Sequence, residues 1–326
     1  MSAVSISDGV VVLDGGFATQ LCRHVTEPID GNPLWSASFL ASDPQAVVKT
    51  HLDFLRAGAE AIITNTYQAS IDGFMTHLGL SEDESYALIK KAVELAQEAV
   101  KLYMDEFPAA RRPLVVGSVG PYGASLHDYS EYTGDYVERV GSRELRDWHR
   151  PRVRALVEAG VDILALETVP AQTEGEALVQ LMSEFPRSKA WLSFSCKDDT
   201  HTSHGEKFQD AARACWDRDS SQLVAVGVNC VNPSFVSSLF TGINKGRQNC
   251  PIPLVVYPNS GEKYDLNRGW VEVDSCKPVH SFVKDWLDLG VVYVGGCCRT
   301  YADDVKNISR EVKEWLADRK QNNLKA

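Results

Sequence analysis

The chain lacks several things that would have pointed elsewhere. It has no run of Lys and Arg long enough to track phosphates, and its net charge is −11, so nucleic acid is not an expected partner. No uninterrupted apolar stretch approaches the roughly 20 residues of a membrane span. No basic residue precedes Arg23, and the first apolar run stops at Asp14, which argues against a leader segment and for a cytoplasmic protein. There is no GxGxxG at any strand-to-helix turn, so the signature of a dinucleotide crevice is missing. There is also no CxxC knuckle, no low-complexity tract and no short internal repeat, although cysteine itself is plentiful at eight residues. In a reducing compartment those are thiols, and a cluster among them suggests a metal or catalysis before it suggests disulfides.

What is present is a regular alternation. Eight short β-branched runs occur: VVVLDGG (10–16), AIITNTYQ (61–68), LVVGSVG (114–120), ILALETVP (163–170), AWLSFSCK (190–197), VAVGVNC (224–230), LVVYPNS (254–260) and VYVGGCC (292–298). Most are continuously apolar, as parallel strands covered on both faces are. Helical stretches lie between them. Residues 43–58 open with Asp and Pro and close at Gly, and 81–107 open with the capping-box pair Ser81 and Glu84. WHRPRVRALVEAG and PVHSFVKDWLDLG lead into the fourth and eighth runs. Across residues 1–326 this predicts a single domain, a distorted (β/α)8 barrel of TIM type, with an open doubly wound sheet as the alternative.

Barrel chemistry gathers at the C-terminal ends of strands. Asp14, Tyr67, Glu167, Cys230, Asn259, Cys297 and Cys298 all fall there. Three thiolates are enough for a tetrahedral zinc with one open position; core packing of the thiols and a redox pair at Cys297 and Cys298 are the other readings. Gly295 and Gly296 are expected to kink the chain so that the two sulfurs converge. A zinc on three thiolates is a weak activator of water and suits a soft substrate thiol, which points to thiol alkylation. Asp14 and Glu167 could face a substrate ammonium, or simply cap the helices that follow. The GGFAT turn offers backbone amides to a carboxylate.

LDGGFATQL, ALETVP, VGVNC, VVYPNSGE and VGGCCRT, in that order, resemble the homocysteine S-methyltransferase family over roughly residues 8–315. The resemblance implies a zinc ion on Cys230, Cys297 and Cys298, with the homocysteine sulfur in the fourth place. It further implies that Asp14 and Glu167 hold the substrate ammonium, and that main-chain amides across Gly15, Gly16, Phe17, Ala18 and Thr19 hold its carboxylate. TNTYQAS, SFSCKDD and YPNSGE resemble members that take methyl from S-methylmethionine or S-adenosylmethionine. A betaine-dependent methyltransferase is the close rival within the class, although betaine-using members carry an aromatic residue where this chain has Thr168, and have a long C-terminal arm. Cobalamin use would need modules that 326 residues cannot hold. Tyr67, Gln68, Asp198, Tyr257, Asn259 and Glu262 are donor-side candidates, because aromatic faces and carboxylates suit a sulfonium cation. His201 and His204 read as solvated loop residues, and a monomer or small homo-oligomer is expected. A noncatalytic redox or metal-sensing protein using the same cysteines is the competing class. RTYADDV, where the resemblance leads to an expected Thr-Pro, should alter packing at the start of the last helix more than chemistry.

Overall fold

The computed structural model describes residues 9–265, 269–271 and 276–323. Eight parallel strands form one sheet: Val11–Val12, Ala61–Ile63, Leu114–Val119, Ile163–Val169, Ala190–Phe194, Leu223–Asn229, Leu254–Tyr257 and Val291–Val294. Each pairs with the next along the chain, and the last pairs with the first. A parallel bridge between Leu13 and Ala61 joins the first strand to the second and closes the ring. All eight lie where the sequence runs predict them, which confirms the (β/α)8 barrel.

Two-residue alternation divides the apolar side chains into two layers. Leu13, Ile63, Val116, Ala165, Trp191, Val255, Tyr257 and Tyr293 fill the barrel interior. Val12, Ile62, Val115, Leu164, Leu192, Val226 and Val256 point outward into the layer shared with the helices. That second layer is why the strands read as unbroken apolar runs.

The helices end where their capping chemistry dictates. Helix Pro44–Ala57 starts with the Asp43 carboxylate accepting from the Ala46 amide at 3.0 Å, and stops at Gly58 with φ 105°. The capping box of Glu82–Glu106 is formed. Helix Ser142–Glu158 begins six residues before WHRPRVRALVEAG, and Pro151 lies inside it. Its buried stripe of Leu145, His149, Arg152, Val153 and Leu156 carries the helix through the one lost backbone bond. Two features have no counterpart in the sequence reading. Three 3-10 turns, Tyr122–Leu126, Ser130–Tyr132 and Asp135–Glu138, separate the third strand from its helix, and a hairpin pairs Lys263–Asp265 with Gly269–Val271. The last helix, Ala302–Asn323, is entered where the Asp304 carboxylate accepts from the Tyr301 amide at 2.8 Å. This helix runs through the polar tail as far as Asn323, and the last three residues of the chain lie outside the described residues.

Candidate active site

The C-terminal mouth of the barrel holds a cavity lined by strand-end residues, among them Asp14, Tyr67, Glu167, Cys230, Cys297 and Cys298. The sulfurs of the three cysteines lie within 4.8 Å of one another, the one such cluster of candidate metal ligands among the described residues. Thiolates at about 2.3 Å from a tetrahedral zinc stand about 3.8 Å apart, so the cluster is of the right size. Cys230 and Cys297 are joined here as a disulfide, while Cys298 is free. The bonded pair is therefore not the adjacent one that the sequence suggested as a redox dithiol. Three thiolate ligands are available once this bond is reduced.

The role expected of the two glycines is corrected by the structure. Neither Gly295 nor Gly296 has positive φ; the left-handed turn is made after the cysteines, at Arg299 with φ 65°. The glycines serve close approach instead. A Cβ on Gly295 would lie 2.6 Å from the Leu13 Cβ and 2.7 Å from the Asp14 carbonyl, and one on Gly296 would overlap the Thr300 side chain. The segment is stitched between its neighbours by Gly295 N–H to Val256 O (3.0 Å), Gly296 N–H to Asp14 O (2.9 Å) and Cys297 N–H to Pro258 O (2.8 Å).

Asp14 and Glu167 face the same space. Asp14 is 2% exposed, and one of its carboxylate oxygens accepts from the Ile63 amide at 2.7 Å. Burial, with the Glu167 charge added, raises its pKa well above the usual range. Burial also pushes Glu167 up to about 7, although Ser118 and Tyr257 hydrogen-bond its carboxylate and the Arg152 charge opposes the rise. Among the described residues that line the cavity there is no Lys or Arg. Arg152 lies behind the wall, donating to the carbonyls of Gly120 (3.0 Å), Thr66 (3.2 Å) and Tyr67 (2.9 Å). Two buried acids without a lining counter-ion form a site for a cation.

The GGFAT turn opens helix Phe17–Leu21 against the cavity. The Gly16 amide, expected to meet a substrate carboxylate, is already used: it donates to the Thr300 carbonyl at 3.0 Å and lies 3.1 Å from the Thr300 hydroxyl. Thr19 Oγ1 accepts from the Arg299 amide at 3.0 Å. The amides of Phe17, Ala18 and Thr19 open the helix, where no intrahelical acceptor exists for them.

The donor-side candidates divide. Tyr67 and Tyr257 line the cavity, whereas Gln68, Asp198, Asn259 and Glu262 do not. Gln68 donates to the Ala124 carbonyl at 3.2 Å, Asp198 pairs with His201 at 3.1 Å on the surface, and Glu262 pairs with Arg299 at 2.6 Å. His204 lies between Glu206 (3.1 Å) and Glu138 (3.2 Å). The Tyr257 ring is 1% exposed; its hydroxyl accepts from Trp191 Nε1 at 2.9 Å and meets Ser193 Oγ at 2.7 Å, so it supports the floor. The sequence reading missed Trp35, whose ring stands edge-on to Tyr67 at 6.1 Å, and Tyr132 on a 3-10 turn; both line the mouth. Neither sits at a strand end, the only positional signal available. Ser118 and Asn229, also missed, do sit on strands, and the polar interruptions of LVVGSVG and VAVGVNC were the signal that could have found them.

A closed parallel barrel that gathers three thiols and two buried acids at the C-terminal ends of its strands has the build of a barrel enzyme. Comparison with known proteins gives the lineage: the chain belongs to the homocysteine S-methyltransferase family, whose sequence model matches residues 11–312. It is 45% identical over 313 residues to a Drosophila melanogaster protein named betaine-homocysteine S-methyltransferase, covering 93% of this chain and 94% of that one. It is 41% identical to homocysteine S-methyltransferase 1 of Brassica oleracea, at 94% coverage of both. The metallated crystal structure of the homocysteine methyltransferase MmuM from Escherichia coli superposes with a TM-score of 0.81 at 39% identity, over 93% of this chain and 96% of that one.

Proposed function

We propose that this enzyme moves a methyl group from a sulfonium donor, S-methylmethionine or S-adenosylmethionine, to the thiol of homocysteine, forming methionine, with zinc held by Cys230, Cys297 and Cys298. The observation that carries the reading is the pairing of a three-thiol cluster with two buried acids and no lining cation, which suits an amino acid that bears both an ammonium and a thiol. When bound, zinc supplies a soft Lewis acid that keeps a substrate thiol deprotonated near neutral pH while leaving it nucleophilic.

The chain's own residues orient the reactants. Asp14 and Glu167 take the ammonium, and the amides of Phe17, Ala18 and Thr19 face the carboxylate. Trp35, Tyr67 and Tyr132 present aromatic rings at the mouth, which favour a sulfonium. The new S–C bond forms as the donor S–C bond breaks, and the homocysteine thiol proton goes to solvent. The leaving group is a neutral thioether, so no residue need deliver a proton, and positioning is the main task of the protein.

The test offers S-methylmethionine, S-adenosylmethionine and betaine separately to the reduced protein with homocysteine, and measures methionine together with metal content. Sulfonium-dependent turnover with one zinc per chain is the expected result. Turnover with betaine alone would replace the donor assignment, and the name of the Drosophila relative makes that arm necessary. No methyl transfer from any donor would overturn the reading.

A further inference from the structure

The last residue of the sixth strand is an asparagine that the mechanism so far leaves unused. Asn229 is fully buried and makes three short hydrogen bonds. Its Oδ1 accepts from the Thr168 amide at 2.7 Å and from Ser193 Oγ at 2.8 Å, and its Nδ2 donates to Thr168 Oγ1 at 2.7 Å. On either side of this clamp the backbone is left-handed: Thr168 has φ 58° and Cys230 has φ 49°. A β-branched residue in that region is an outlier, and it persists only where the surroundings hold it. Thr168 follows Glu167 directly, and Cys230 follows Asn229 directly.

We propose that Asn229 is a positioning residue: it clamps the Glu167–Thr168 turn onto the strand end that carries Cys230, and so sets the ammonium site at the right distance from the thiol cluster. The proposal rests on the reading of Glu167 as the ammonium acceptor. Its connections form a ring. Ser193 passes from Asn229 to the Tyr257 hydroxyl, and Tyr257 in turn hydrogen-bonds Glu167. Asparagine suits the position because the clamp needs an acceptor and a donor on one neutral group. Aspartate would lose the donor and add a third buried carboxylate beside Asp14 and Glu167. Alanine would leave the buried Thr168 N–H unpaired and nothing to hold its conformation.

The test uses the fact that glycine occupies φ 58° without strain. N229A, T168G and the N229A/T168G double variant are compared for homocysteine affinity by calorimetry, for kcat and KM toward each substrate, and for cooperative melting. N229A is expected to weaken homocysteine by about 10-fold or more, the scale of one lost polar contact, with a much smaller change in the donor KM. In the double variant the turn keeps its shape without the clamp, so most of the lost affinity returns. A merely structural asparagine predicts the opposite, since the two changes would then add. Unchanged homocysteine affinity in N229A, or a double variant no better than N229A, overturns the proposal. If N229A fails to melt cooperatively, Thr168→Val carries the test by removing the hydroxyl that accepts from Asn229 Nδ2, and unchanged homocysteine affinity there overturns the clamp equally. Wild-type methyl transfer is measured alongside. Its absence would remove the functional reading and this inference together, whereas an active wild type with an unaffected N229A removes only the inference.

Discussion

Glu167→Gln separates what the site costs from what it does. Burial raises the Glu167 pKa from its ordinary 4.5 to about 7. The folded protein therefore binds this proton more tightly than the unfolded chain does, and the associated stability, fully present below 4.5, is lost as pH rises through about 7. At about 1.4 kcal/mol per unit, the ionised carboxylate costs the substrate-free protein on the order of 3 kcal/mol at pH 8. Glutamine keeps the shape, and its oxygen can still accept from Ser118. The variant should thus melt higher than wild type at pH 8, by roughly 4–5 °C for a chain of 326 residues, at about 2.1 cal/mol/K of unfolding entropy per residue. At pH 4, where wild type is also neutral, the difference should vanish. Homocysteine binding should move the other way, weakening by at least about tenfold as the charge-assisted contact to the ammonium is lost. In wild type the same contact should strengthen as pH rises through about 7. Calorimetric melting of substrate-free protein at the two pH values, with methionine formation at pH 8, tests both halves. A variant no more stable at pH 8, or stabilised equally at both pH values, would refute the burial argument, and unchanged homocysteine KM would refute the assigned contact.

Three further outcomes are expected. Cys298→Ser should strip zinc and activity while leaving the melting transition cooperative, read by metal analysis and calorimetry; full zinc content and turnover in this variant would sink the three-thiol site. Gly16→Ala should also lose metal, because its Cβ would be driven into the Cys297 carbonyl and against Thr19, whereas Gly141→Ala, which meets nothing within 4 Å, should change stability by less than about 0.5 kcal/mol. Arg152→Met should destabilise by several kcal/mol, at roughly 1–3 kcal/mol for each buried carbonyl left unpaired, and denaturant titration would show it.

The strands were legible because each carries two apolar faces, and a run of five or six such residues has few other readings. Asp14, Glu167 and the three cysteines were legible for a related reason: polar residues that end an apolar run in a barrel fall on its catalytic rim. Trp35 and Tyr132 were not, since they reach the cavity from loop segments whose path depends on tertiary packing. The same limit hid the 3-10 excursion, which is held from outside its own segment by the buried Glu174 accepting from the Tyr122 amide and the Tyr136 hydroxyl. Gly295 and Gly296 were singled out correctly, but for a conformational reason. The actual constraint on Gly295 is Leu13 and Asp14 lying against it, a contact between residues about 280 positions apart that no local pattern encodes, while Gly296 is held small by the Thr300 side chain.

The placement of Arg152 bears on how this site selects its ligand. A buried guanidinium near the buried Glu167 would normally be drawn into an ion pair, and a pair formed in the cavity would put a protein group where the proposed substrate ammonium binds. Here the guanidinium is held by three strand-end carbonyls and lies over the Trp148 ring at 4.9 Å, so its donors are satisfied behind the wall. From there its charge still opposes the rise in the Glu167 pKa, after the larger effect of the hydrogen bonds from Ser118 and Tyr257. Moving the cation into the cavity would lower the Glu167 pKa further and place a protein charge beside the acid; removing it would let the pKa rise further. The observed position leaves Glu167 raised to about 7 with no Lys or Arg beside it among the described lining residues, which is the arrangement that the proposed recognition of a substrate ammonium requires.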